Sequence, residues 1–146
     1  MKKTIWKWLA ICFAAICLFC GVACGGTGAE ESTAIVATVE KEEGFVAITI
    51  TQMDGEAMLS DVMEQLQAKG RLSFSLDATG MLTQLEGVQN AADWSACWML
   101  YTSDAELANM SYAKEWKGAT YGSAVVGVTQ LPVAEGFVYL WSYDTF

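Results

Sequence analysis

The 146-residue chain is 53% hydrophobic and 17% charged, carries 17 acids against 8 bases, and contains no histidine. Such apolarity excludes intrinsic disorder over most of its length, and a net charge of −9 argues against nucleic acid, whose phosphates demand a basic face. Without histidine the commonest general base and metal ligand at neutral pH is missing, so composition points away from an enzyme, a metal site or a bound cofactor.

Lys2, Lys3 and Lys7 precede an unbroken apolar run from Trp8 to Ala23. The run is shorter than the ~20 residues of a membrane span. A basic start, a short apolar stretch and small residues at its end describe a secretory signal; an uncleaved anchor is the alternative. The end, Gly21-Val22-Ala23-Cys24-Gly25-Gly26, resembles the lipobox of bacterial lipoproteins. That resemblance implies a signal peptide over 1–23, lipid on Cys24, a flexible tether over 24–43, and a protein held on the outer face of the bacterial cell membrane by its acyl chains. Cys12, Cys17 and Cys20 fall inside the discarded run, which leaves Cys97 without an intramolecular partner and no disulfide framework. Beyond Cys24 five bases face 17 acids, a net charge of −12. Anionic headgroups repel such a surface, so the lipid, not the protein face, makes the membrane contact.

Ala34 to Val39 has strand composition but suits a linker equally well. Phe45 to Met53 alternates Val46, Ile48 and Ile50 with small or polar residues, which predicts a strand. After Asp54-Gly55 the period changes: Met58, Leu59, Val62, Met63 and Leu66 recur at helical spacing, with Asp54 or Ser60 as cap and Gly70 as stop. One amphipathic helix cannot bury itself and must lie on a sheet. Strands are expected over Arg71–Leu76, Met81–Leu85, Ser95–Tyr101, Ala124–Val128 and Phe137–Tyr143, with a turn at Gly118–Gly122. Ser103–Met110 suits a short helix or a loop.

The serial order of these pieces from Gly44 to Tyr143 resembles the DUF4430, or transcobalamin C-terminal-like, domain family. FVAITI matches its opening strand, MLSDVMEQL its helix, GMLTQLEGV its glycine-bounded strand-turn, Trp98-Met99-Leu100-Tyr101 its aromatic strand, and Gly136 to Tyr143 its closing strand. The resemblance implies one α+β domain over 44–146, a β-grasp-like mixed sheet crossed by one amphipathic helix, used to bind soluble ligands. In transcobalamin-type proteins a large helical domain completes the cobalamin site. This chain has no such domain and no imidazole for cobalt, so cobalamin uptake is a distant implication.

The aromatics carry the functional expectation. Along the closing strand Tyr139, Trp141 and Tyr143 share one face and Val138 and Leu140 the other. If the aliphatic pair faces the helix, the three rings form a platform for a flat ligand; the alternative is that the rings pack beneath the 109–121 segment. Trp94, Trp116 and Tyr121 fall in expected loops, where an exposed aromatic ring suggests binding. No calcium loop, phosphate loop or distinctive carboxylate pair occurs, and Cys97 lacks a base to activate it. The partner is then a small molecule or an envelope protein, and the chief alternative function is a non-catalytic protein-interaction or structural module.

Overall fold

The structure, a computed structural model, describes residues 34–146. The signal peptide, Cys24 and the first part of the tether lie outside the described residues. The first strand, β1 (Ile35–Glu42), turns through Glu43-Gly44 into β2 (Phe45–Met53), and the two pair from Ile35 opposite Met53 to Glu42 opposite Phe45. Ile35 and Ala37 are buried in the core, so the expected boundary after residue 43 moves back to about Ile35. Alternation over Ile35, Ala37 and Val39 decided between strand and linker.

The helix, α1 (Leu59–Ala68), buries Leu59, Val62, Met63 and Leu66, the predicted stripe. Neither Asp54 nor Ser60 caps it. The Asp61 carboxylate reaches back to accept from the Met58 N–H at 2.8 Å, and the free Leu59 and Ser60 N–H groups donate to the carbonyls of Leu131 and Val128. The loop holding Val128 and Leu131, remote in sequence, thus does what a local side chain was expected to do. Gly70, at φ +67°, ends the helix as anticipated.

The remaining elements are β3 (Phe74–Leu76), β4 (Leu82–Leu85), β5 (Val88–Gln89), β6 (Ala96–Thr102), β7 (Ala108–Trp116), β8 (Ala119–Ala124) and β9 (Val138–Thr145). They build a six-stranded sheet in the order β1-β2-β9-β6-β8-β7 and a three-stranded sheet β3-β4-β5. Every pairing is antiparallel, so the expected mixed sheet is corrected. Strands β2 and β6 do run the same way, but β9 enters between them and makes each contact antiparallel. The domain is mostly β-sheet, with one helix among the described residues.

The two faces of the sheet are unlike. Val46, Ile48 and Ile50 of β2 face α1, and their cross-strand partners in β9 include Trp141 and Tyr139. Opposed residues share a face, so the ring row packs under the helix while Val138 and Leu140 point the other way. This reverses the expected orientation. The second face holds Ala47, Tyr101 and Leu140 and is covered by Tyr121 and Trp116 of the β7–β8 hairpin. At the hairpin tip the Lys117 ammonium pairs with Glu40 and Glu42 of β1. The strand order puts β1 and β7 at opposite edges, so the hairpin reaches across the second face to the far edge.

Strand β7 replaces part of the uncommitted 103–110 segment, and β8 occupies most of the expected 118–122 turn; the true turn is Lys117-Gly118. Val125 to Val128 leaves the sheet instead of forming a strand, and Val128 plugs the core beside α1. Between Asn109, opposite Ser123, and Ala113, opposite Gly122, β7 carries three extra residues. The bulge fits because Gly122 has no side chain: an added Cβ would lie 2.7 Å from the Ala108 Cβ and 2.8 Å from the Met110 sulfur. Gly122→Ala should cost about 1–2 kcal/mol through overpacking, read as a lowered urea midpoint with unchanged slope.

Candidate functional site

On its β8 side, β6 is paired only at its end, where Tyr101 and Thr102 meet Ser123 and Gly122. Trp98 to Leu100 pair with β9 on one side but have no strand partner on the other among the described residues. Asn90 bridges the start of this gap. Its Nδ2 donates to the Leu82 carbonyl at 2.7 Å and its Oδ1 accepts from the Trp98 N–H at 2.9 Å. The side chain thus ties the small sheet to the exposed flank of β6 and satisfies a donor that lacks a strand.

Beside this junction lies a cleft of about 330 Å³. Leu82, Trp98, Leu100, Val128 and Trp141 form its walls, with Met81 and Trp94 at the rim. Two loops set the rim, and each is organised by an aspartate. Asp77 accepts from the Thr79 hydroxyl, the Thr79 N–H and the Met81 N–H; Asp93 accepts from the hydroxyl and N–H of Ser95. These hydrogen bonds, led by the Thr79 and Ser95 hydroxyls, hold both carboxyls below their ordinary pKa. The turns keep their geometry at neutral pH because the acceptors stay ionised.

Trp94 stands out within this frame. Its φ of +60° places a bulky side chain in the left-handed region, and it remains 53% exposed. Such a conformation costs roughly 1–2 kcal/mol and persists only where its surroundings impose it. Here the Trp94 N–H donates to the Ala91 carbonyl while Asp93 grips Ser95. Trp94→Gly should leave stability unchanged or raise it by up to about 1 kcal/mol, as measured by chemical denaturation. A strong destabilisation would mean that the ring has a packing role its exposure does not suggest.

Trp141, 4% exposed, is among the residues that line the cleft, and its indole Nε1–H is buried without a protein acceptor. An unpaired buried donor carries a desolvation cost of about 1–3 kcal/mol. Trp98 was expected only as a strand residue, yet it forms a wall of the cleft. Its Nε1 donates to the Val88 carbonyl, and its ring meets Tyr143 edge-on with centroids 5.3 Å apart. The Tyr143 hydroxyl donates to the Gln89 carbonyl, so the pair clamps β5 against the main sheet.

The six aromatics expected as one binding set are thus divided. Trp94 and Trp141 line the cleft, and Tyr143 supports its wall. Tyr139 is fully buried, its hydroxyl bridging Pro132 and Ala134. Trp116 and Tyr121 pack together on the opposite face with centroids 6.2 Å apart, and Lys117 lies over the Trp116 ring. Trp116 Nε1 is also buried without an acceptor. The platform over Tyr139, Trp141 and Tyr143 does not form, because register turns those rings inward.

One further polar cluster lies on the second face. Asp144 accepts from the Tyr101 hydroxyl, the Ser142 hydroxyl and the Lys114 ammonium. Burial raises the Asp144 pKa, but the bonds from Lys114, Ser142 and Tyr101 outweigh it and hold the carboxyl below its usual value. Burial and the Asp144 carboxylate push the Tyr101 hydroxyl far up, and burial followed by the Asp144 charge raises the Cys97 thiol. Cys97, a free buried thiol, is therefore kept protonated at neutral pH, the reverse of an activated nucleophile. Among the described residues no group of three His, Cys, Asp or Glu side chains is placed to hold a metal, and no helix is long and apolar enough to cross a membrane. Compared with protein-family models, curated proteins and solved structures, the chain finds no match.

Proposed function

We propose that this chain is an exported bacterial lipoprotein, anchored through Cys24, whose domain binds a soluble ligand without catalysing its reaction. The observation that carries this reading is the cleft beside β6, lined by an exposed Trp94 in a costly conformation together with Trp98 and the buried Trp141. Ligand sites combine apolar walls with a few placed polar groups and span about 300–1,000 Å³. The cleft belongs at the small end of that range. It favours a compact ligand over a corrinoid macrocycle, so the transcobalamin-like resemblance supports a nutrient-binding role more than cobalamin itself. A β-rich domain with its helix on one sheet face agrees with that resemblance only at the level of general layout.

The test is tryptophan fluorescence of the full-length protein, titrated with cobalamins, glycans and cell-wall fragments. Saturable quenching that is lost in Trp94→Ala supports the reading, and no response from any class with an intact fold overturns it. Anchoring is tested separately: Cys24→Ser should abolish incorporation of labelled fatty acid.

A second reading, an envelope protein-interaction module, draws on the β7 bulge. It pushes Met110 and Tyr112 into solvent, the latter 72% exposed. Loss of an envelope protein in pull-downs with Tyr112→Ala, with ligand titrations silent, would select it.

A further inference from the structure

The flank of β6 that faces away from β9 is a hydrogen-bond ladder with a gap in it. Along a strand, successive residues turn their backbone N–H and C=O groups to alternate sides. On this flank the Ala96 carbonyl accepts from the Ala91 N–H, the Trp98 N–H donates to the Asn90 side chain, and Thr102 pairs with Gly122. Leu100 lies in the same alternation, whereas Met99 turns its own groups to Ser142 of β9. Between Asn90 and Gly122, the Trp98 C=O and the Leu100 N–H are left without a partner among the described residues. The gap exists because the chain that would continue the ladder turns away. Past Ala124 the Val125 N–H donates to the Leu107 carbonyl, and Val126 to Val128 line the cleft together with Asn90 and Trp98 to Leu100. A main-chain donor and acceptor left unpaired inside a fold cost desolvation until something pairs with them.

Resting on the ligand-binding reading above, we propose that the ligand is a short extended peptide that adds to β6 as an antiparallel strand. Its central residue stands opposite Met99. The residue before it accepts from the Leu100 N–H, and the residue after it donates to the Trp98 C=O. Neighbours across a ladder share a face, so these two outer side chains lie beside Trp98 and Leu100 on the helix side. None of the residues lining the cleft carries a charge, so both outer positions call for apolar side chains. Asn90 stops the gap at one end and β8 at the other. Three residues at roughly 3.3 Å each fill it. A long strand of a partner protein would have to displace one of these stops, which favours a free oligopeptide. Charge selects what flanks the apolar triplet. Asp77 and Asp93, both held ionised, stand in the two loops of the rim, and the chain carries 17 acids against 8 bases. Basic flanking residues gain from that field and acidic ones lose.

The probe is the acetylated, amidated pentapeptide Lys-Val-Ala-Val-Lys, added to the full-length chain. It should quench tryptophan fluorescence saturably. At saturation, hydrogen exchange at the Leu100 amide should slow by at least about 10-fold, while the Met99 amide, already paired with β9, changes little. Methylating the nitrogen of the second valine, the donor to Trp98, should weaken binding at least about 5-fold, the loss of one hydrogen bond from a buried group. Methylating the alanine nitrogen, which points away from β6, should cost much less. Glutamate in place of both lysines should weaken binding about 2- to 5-fold at low salt and by less at high salt.

Equal affinity for the parent and valine-methylated peptides, or an unchanged Leu100 amide on binding, overturns strand addition while the cleft remains a binding site. Leu100 protection that rises with protein concentration, without peptide, makes a second copy of the chain the occupant and overturns the peptide class. Silence from the peptides, with quenching by a glycan or cell-wall fragment, also overturns that class and spares the broader reading. Silence from every peptide and every other ligand overturns both.

Discussion

Trp141→Ala is expected to destabilise the domain by about 3–5 kcal/mol. Its indole is buried in the core on the helix side, opposite Val46 in β2 and Leu100 in β6. Removing it leaves a cavity at the junction of three central strands. Small domains possess about 5–15 kcal/mol in total, so the variant should remain folded only marginally. A fall in the urea midpoint with the slope preserved is the expected signature. A change below about 1 kcal/mol would mean that the side chain is far less buried than described. Loss of binding in this variant would say little by itself, which is why Trp94 is the better probe of the cleft.

Asp144→Ala should cost about 2–3 kcal/mol at pH 7, below the 3–5 typical when a fully buried pair is broken. The discount arises because the Lys114 side chain is 31% exposed and regains water, whereas Asp144 is only 12% exposed. The Tyr101 hydroxyl and Ser142 hydroxyl also lose their acceptor. The sign of the pH dependence follows from the lowered folded pKa of Asp144. Its contribution is fully present above the ordinary carboxyl value of about 4 and is lost as pH falls through the lower folded value. The stability gap between the native protein and Asp144→Ala should therefore be constant from pH 7 to about 5 and narrow below about 4. A gap that widens on acidification would contradict the assigned ion cluster.

Much of this architecture was legible in the chain. The alternation of Val46, Ile48 and Ile50 marks β2, the spacing of Leu59, Val62, Met63 and Leu66 marks α1, and Gly70 marks its end. Periodicity also separated Tyr139 and Trp141 from Leu140. It left open which set meets the helix, because that is fixed by the pairing of β9 with β2, a contact remote in sequence. Strand β7 carried no signal. Its residues are mostly exposed on both faces and a three-residue bulge breaks the alternation. The cleft was half visible. Trp94 is an aromatic ring in a loop, as anticipated, but Asn90 works through two long-range hydrogen bonds that leave no local pattern. The helix start was misjudged for the same reason, since carbonyls of Val128 and Leu131 replace a neighbouring cap.

The Lys117 contact with Glu40 and Glu42 has a consequence for behaviour at high concentration. All three side chains are about half exposed, so water and salt screen the attraction and it adds little to the folding free energy. Its worth lies in geometry. A clasp between the hairpin tip and β1 keeps the two rims of the sheet engaged with their own chain, while the acids along β1 discourage a foreign strand from zipping onto it. Undoing it should leave the melting temperature almost unmoved and show instead as self-association when the protein is crowded.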